Sequence, residues 1–209
     1  MNTETLQNAE AWAVETFGAA ELGDVRRTDR LVKIASVLGE NPSVSLPASM
    51  RNWADTHAAY EFLSNERVNH EQIMLPHWAQ TRSEAEQRSQ VLMIGDATEV
   101  NLSTHKATKG LGPVGRGSSA QGFFVHSVLA VDAKDKQLLG CIDQQPFVRE
   151  PAPEKETKAE RNARWRESLI WDETHRADWP RTCGHAMDLC RGSGQRYLPL
   201  LAALFGTRI

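Results

Sequence analysis

The segment that most limits what this chain can fold into is Val91-Leu-Met-Ile-Gly-Asp96-Ala-Thr-Glu-Val-Asn-Leu102. An apolar run drives into an acidic residue, and small and polar residues then turn the chain away. A short apolar run between polar flanks reads as a buried strand. The pattern places Asp96 at the end of that strand, on rigid backbone at the rim of a sheet, where a divalent metal can reach it. Taken by itself, the same residue also reads as an ordinary strand terminator satisfied by turn amides, the commoner case.

The ninety or so residues before this segment carry helical spacing instead. Residues 5–19 read as an amphipathic helix, with Leu6, Ala9, Val14 and Phe17 on one side and Trp12 beside them. Leu22-Gly23-Asp24 breaks the chain and offers Asp24 as an N-cap. A second helix runs from about Val25 to Leu38 and stops at Gly39-Glu-Asn-Pro42. Its apolar stripe is Leu31, Ile34, Ala35 and Leu38. On another side Arg26, Arg30 and Lys33 fall at i, i+4 and i+7, with Arg27 at the margin. These cations read either as a solvated face, with Asp29 pairing to Lys33, or as a row that meets DNA phosphates.

A third helix, about Met50 to Leu63, sets Ala54, Ala58 and Phe62 at four-residue spacing for close packing. Trp53, His57 and Tyr60 on it read singly as packing residues. A fourth helix runs from about His70 to Arg88.

After the Val91 strand, residues 104–122 form a loop rich in Gly and Pro, with three basic groups. Its spacing does not make a phosphate-cradling Gly-x-x-x-x-Gly-Lys-Ser/Thr motif. Phe123–Val131 and Gln137–Val148 then read as a hairpin around Asp132-Ala-Lys-Asp-Lys136. Lys155 to Trp165 and Glu167 to Arg176 read as helix.

At 209 residues there is room for one sizeable domain or two small ones. No apolar run approaches the ~20 residues a membrane span needs, and the N-terminus lacks signal-peptide character. Three cysteines, Cys141, Cys183 and Cys190, are too few for a disulfide framework. A cytoplasmic, reducing compartment is expected. With a net charge of −3, any nucleic-acid binding must come from a local basic face.

Taken together, these segments resemble the cut-and-paste DDE transposases of bacterial insertion sequences, the Tn-five type. The likeness runs from about Ala11 to Ala177. It rests on Ala20-Glu-Leu-Gly-Asp-Val-Arg-Arg-Thr-Asp-Arg-Leu-Val-Lys33, Ala58-Ala-Tyr-Glu-Phe-Leu-Ser-Asn65, Ile94-Gly-Asp-Ala-Thr98, Gly122-Phe-Phe-Val-His-Ser-Val-Leu-Ala-Val-Asp132 and Trp171-Asp172. The resemblance implies N-terminal helices that bind double-stranded transposon ends, with Arg26, Arg27, Arg30 and Lys33 as contacts. It also implies a ribonuclease-H-like sheet on which Asp96 is the first of three catalytic, metal-binding carboxylates, served by magnesium.

In-line displacement at phosphorus uses two metals roughly 4 Å apart with several carboxylates between them. The family's second Asp and its Glu have no counterpart motif here. From about Asp178 the tail departs from the family and looks like no strand. Asp188 lacks an apolar lead-in, so it is not assigned as the second carboxylate. Cys183, His185 and Cys190 are too irregular for a zinc site. Allowed codons for Met187 to Leu201 include a shifted frame that reads the family's fourth strand and second carboxylate.

The expected fold is α+β: a helical DNA-binding domain over residues 1–90, then an incomplete ribonuclease-H-like α/β core over 91–177 with a three-stranded antiparallel start. Residues 178–209 are expected to be an aberrant tail, out of frame. The expected protein is a truncated transposase that binds transposon-end DNA, lacks complete DDE chemistry and holds no magnesium productively. The alternatives are a DNA-binding inhibitor of full-length transposase and a non-functional remnant; the expected partners are double-stranded transposon-end DNA and full-length transposase as a homo- or hetero-dimer. No membrane partner is expected.

Overall fold

Three helices begin alike, each behind a residue whose side chain accepts a backbone N–H from the first turn. Asn8 Oδ1 accepts from Ala11 N at 2.9 Å, ahead of α1 (Ala9–Phe17). Asp24 Oδ1 accepts from Arg26 N at 3.0 Å, ahead of α2 (Val25–Glu40). Asn52 Oδ1 accepts from Asp55 N at 2.8 Å, ahead of α4 (Trp53–Leu63). Such caps satisfy donors that have no partner inside the helix. Between α2 and α4 lies a single turn, α3 (Leu46–Ser49), and after α4 comes α5 (His70–Glu86).

The computed structural model describes residues 8–115, 119–150, 153, 155–163 and 187–191. The chain divides into two compact units between Gln80 and Thr81, a point within α5.

The core of the first unit is built from Ala13, Phe17, Leu31, Ile34, Ala35, Leu38, Ala59 and Phe62. The expected α2 stripe is buried throughout. Trp12 meets Phe17 edge-on, with ring centroids 5.7 Å apart. Two details differ from the sequence reading. Val14 is exposed, and the packed side of α4 is Thr56, Ala59 and Phe62, with Ala54 exposed. The helix also starts later than expected, since Met50 is extended and Asn52 caps, and Ala59 and Phe62 are the positions that join the core.

In the second unit a sheet is centred on β3 (Gln121–Asp132), which pairs antiparallel with β1 (Val91–Asn101), β2 (Gly112–Pro113) and β4 (Leu138–Phe147). The three long antiparallel strands match expectation, and the fold class is α+β. The hairpin between β3 and β4 closes through Asp132, whose Oδ1 accepts from Lys134 N at 2.7 Å, and Lys136 takes a left-handed φ of 66°. The strand β3 alternates buried and half-buried residues. Its Val128 and Ala130 pack with Val91, Ile142 and Ala85 from the end of α5. At Gly122 the backbones close in, and a Cβ there would stand 1.9 Å from the Val100 carbonyl oxygen.

Two expectations are corrected here. The chain does not turn away at Asp96: β1 continues to Asn101, because β3 offers a backbone partner at every step from Val91↔Asp132 to Asn101↔Gly122. Nor is the tail without a strand, since β5 (Met187–Arg191) lies parallel to β1 from Val91↔Met187 to Gly95↔Arg191. The unpaired side of β1 presents free N–H and C=O groups, and a short extended segment satisfies them.

The expected helix near Lys155 is represented by α6 (Lys158–Ala163), opened by a reciprocal cap. Thr157 Oγ1 accepts from Glu160 N at 3.2 Å, and Glu160 Oε2 accepts from Thr157 N at 2.8 Å. The helix expected over 167–176, with Trp171 and Asp172, lies outside the described residues, as do Cys183 and His185. Among the described residues no helix is long and apolar enough to cross a membrane.

Candidate nucleic-acid interface and the Asp96 strand

The four basic residues of α2 lie in three different settings. Arg26 is 86% exposed and folds back on the capping residue, its Nη2 2.8 Å from Asp24 Oδ2. That pairing, with the backbone N–H of Arg26, holds the Asp24 carboxyl down to about 2. Arg27 turns inward, and its Nη1 donates to the Leu22 carbonyl at 2.6 Å. Gly23, at φ 72°, lets the chain between them bend in a way most side chains resist.

Arg30 and Lys33 share one partner on another helix. Lys33 Nζ donates to Asp55 Oδ1, and Arg30 Nη1 lies 3.7 Å from the same oxygen. Lys33 therefore pairs with Asp55 rather than with Asp29. The second oxygen of Asp55 accepts from Asn52 Nδ2 at 3.1 Å. The Lys33 hydrogen bond, foremost among these contacts, depresses the Asp55 carboxyl below its ordinary value. The side chains of Arg30 and Lys33 are 33% and 49% exposed, against 16% for Asp55. Both cations are thus held by Asp55 while part of each side chain remains in solvent.

One helical position beyond the Asn52 cap, Trp53 is 77% exposed, where packing was expected. Its ring lies 6.2 Å from that of His57, which in turn sits 3.6 Å from Glu61. As the first residue of α4, Trp53 stands off the packed row of Thr56, Ala59 and Phe62. An exposed tryptophan suits contact with a polyanion that has apolar edges.

In the second unit Asp96 is an exposed residue in the middle of β1, opposite Ser127. Its Oδ1 accepts from the next amide, Ala97 N, at 2.8 Å. On the β5 side, strand pairing ends at Gly95, so Asp96 is the first residue beyond it. Residues directly opposite share a face. The row through Asp96 is therefore Ser127 and Gln144, and Gln144 Nε2 donates to Ser127 Oγ at 3.0 Å. Asp188 is level with Leu92, four residues short of Asp96, or about 13 Å along the strand.

Among the described residues no group of three His, Cys, Asp or Glu could hold a metal. A two-ion magnesium centre needs several carboxylates, and among the described residues Asp96 belongs to no such group. The buried His126 lies on the opposite face, two residues along β3 from the partner of Asp143. Burial lowers its pKa, while the charges of Asp143 and Asp96 act in the other direction.

Residues 9–68 match the family described as transposase DNA-binding. The match spans α1 to α4 and carries all four α2 cations, Trp53 and Asp55. It supports a transposase-related DNA-binding role for this stretch. Asp96 lies beyond the matched residues.

Asp55 and the exposure of Trp53 were missed from sequence. Asn52-x-x-Asp55 is the available signal, an N-cap followed three residues later by an acid, which would have started the helix at Trp53 and left its ring off the packed face.

Proposed function

We propose that residues 1–90 recognise double-stranded DNA at the end of a transposable element, with the α2 face of Arg30 and Lys33 as the phosphate contact. The observation that carries this is the placement of two half-exposed cations, fixed from behind by Asp55, inside the stretch similar to transposase DNA-binding domains. Cations already held in one geometry lose less side-chain entropy when a phosphate arrives. Arg26, fully outside and paired only within its own turn, is available as a further contact; Arg27, bound to the Leu22 carbonyl, serves the fold. The exposed Trp53 ring, on the helix that carries Asp55, supplies an apolar surface for sugar or base edges.

In the same reading the chain is related to the insertion-sequence DDE transposases, and residues 91–177 are the start of a ribonuclease-H-like core. Support comes from three antiparallel strands with Asp96 on the first, and from a further strand parallel to it. Asp96 would be one carboxylate of the several that metal-dependent strand cleavage requires.

The test is fluorescence anisotropy of the full chain against a duplex carrying its own element's end and a scrambled control, at two salt concentrations. Preferential retention of the end duplex at the higher salt supports the reading. Equal or absent binding to both refutes end recognition.

A further inference from the structure

Asp55 is the residue on which the two part-exposed cations converge, and it belongs to a different helix from theirs. One carboxylate oxygen faces two cations, and the other accepts from Asn52 Nδ2, while Asn52 Oδ1 in return accepts the Asp55 backbone N–H. A surface ion pair of ordinary kind has one partner and free rotamers. This one has three partners, two on α2 and one at the cap of α4, and the carboxylate is less exposed than either cation. Such an anion does two things to any DNA phosphate that approaches Arg30 or Lys33. It fixes where the guanidinium and ammonium groups point, and it repels a phosphate that comes too near its own oxygens.

We propose that Asp55 is a positioning and selectivity residue for DNA, an internal counter-ion that makes the Arg30–Lys33 pair discriminate against duplexes that do not seat their phosphates on the outer side of the cluster. The inference rests on the DNA-binding reading above and deepens it. A random duplex meets the α2 cations in many registers, most of which bring a phosphate toward Asp55 and are penalised. A duplex held in one register by further contacts keeps its phosphates on the solvent-exposed parts of both cations. The anion thus lowers non-specific affinity more than specific affinity, and like-charge opposition of this kind is a general source of selectivity.

The experiment compares the full chain with Asp55→Asn, which is nearly isosteric, on two probes. One probe is a mixed-sequence duplex; the other is the duplex that the wild-type chain enriches most from a random pool. For Asp55→Asn, affinity for the mixed-sequence duplex should rise about threefold to tenfold. Its salt slope should steepen by about one, as a freed cation finds a phosphate. Affinity for the enriched duplex should change less, so the ratio between the probes falls. Lys33→Gln combined with Asp55→Asn should return the mixed-sequence affinity toward that of the wild type, since the freed cation is gone.

Parallel weakening of both probes with an unchanged slope would overturn the proposal and leave Asp55 as a clamp between helices. Unchanged binding to both would overturn it as well. If the wild-type chain retains no duplex even at low salt, the DNA-binding reading itself fails. Circular dichroism melts of both variants separate these results from a folding defect.

Discussion

Arg27 donates to the main-chain carbonyl of Leu22 at 2.6 Å and so fastens the first turn of α2 to the bend that precedes it. Its neighbour Arg26 points outward to Asp24. Two adjacent arginines with the same sequence character thus have opposite duties. Arg27→Gln should lower the stability of the first unit by about 1.5–3 kcal/mol, the range for a hydrogen bond to a charged group. Arg26→Gln should leave the melting temperature nearly unchanged. Thermal melts of the two variants side by side check this; equal melting temperatures would remove the distinction.

The Asp24 cap has a pH signature. Its pKa in the fold is depressed to about 2, and an unfolded Asp titrates near about 4. The folded state therefore holds the ionised form more tightly. The stabilisation is present in full above about pH 4 and is lost as pH falls through the folded value near about 2. Carboxyl chemical shifts followed from neutral to acid pH should show Asp24 titrating well below the ordinary range for Asp. An ordinary midpoint for it would contradict the pairing with the Arg26 side chain and the cap behind it.

His126 works in the other direction along the pH scale. Burial lowers its pKa, so the folded chain prefers neutral imidazole while an unfolded His takes up a proton near about 6.5. Stability from this residue is complete above about pH 6.5 and declines as pH falls below it. Asp143→Asn and Asp96→Asn each remove a charge that favours the protonated ring, and both should push the His126 pKa further down. Imidazole proton shifts measure this directly. An unchanged value in either variant would show that its carboxylate is not within electrostatic reach.

Much of the fold is written locally in the chain. The α2 stripe of Leu31, Ile34, Ala35 and Leu38 is buried as its spacing dictates, because a 3.6-residue period leaves little choice of face. The β3–β4 hairpin is likewise announced by Asp132-Ala-Lys-Asp-Lys136 between two apolar runs. The end of β1 was not legible, because from Asp96 on no residue is buried and the segment is held by the partner strand instead. Met187–Arg191 was missed for the same reason, as its place depends on the open side of β1. At the candidate interface, spacing put Arg30 and Lys33 on one side of α2, and the shared partner confirms that they are together. That partner lies twenty-two residues after Lys33, on another helix, and periodicity within α2 carries no trace of it.

Gly122 tests the close approach of β1 and β3. Any side chain there meets the Val100 carbonyl, which is held by the strand pairing. Gly122→Ala should destabilise the second unit by about 1–3 kcal/mol, as overpacking does. Urea denaturation followed by a probe in the sheet checks it, and a neutral effect would mean that the strands can part without cost.

The most direct test of the central claim is the salt dependence of binding to the duplex that the full chain enriches most from a random pool, with and without Arg30→Ala and Lys33→Ala together. If these two cations meet phosphates, the double variant should bind at least about tenfold more weakly at low salt. The slope of log affinity against log salt should shrink by about two. Unchanged affinity and slope would place DNA contact elsewhere and contradict the α2 interface.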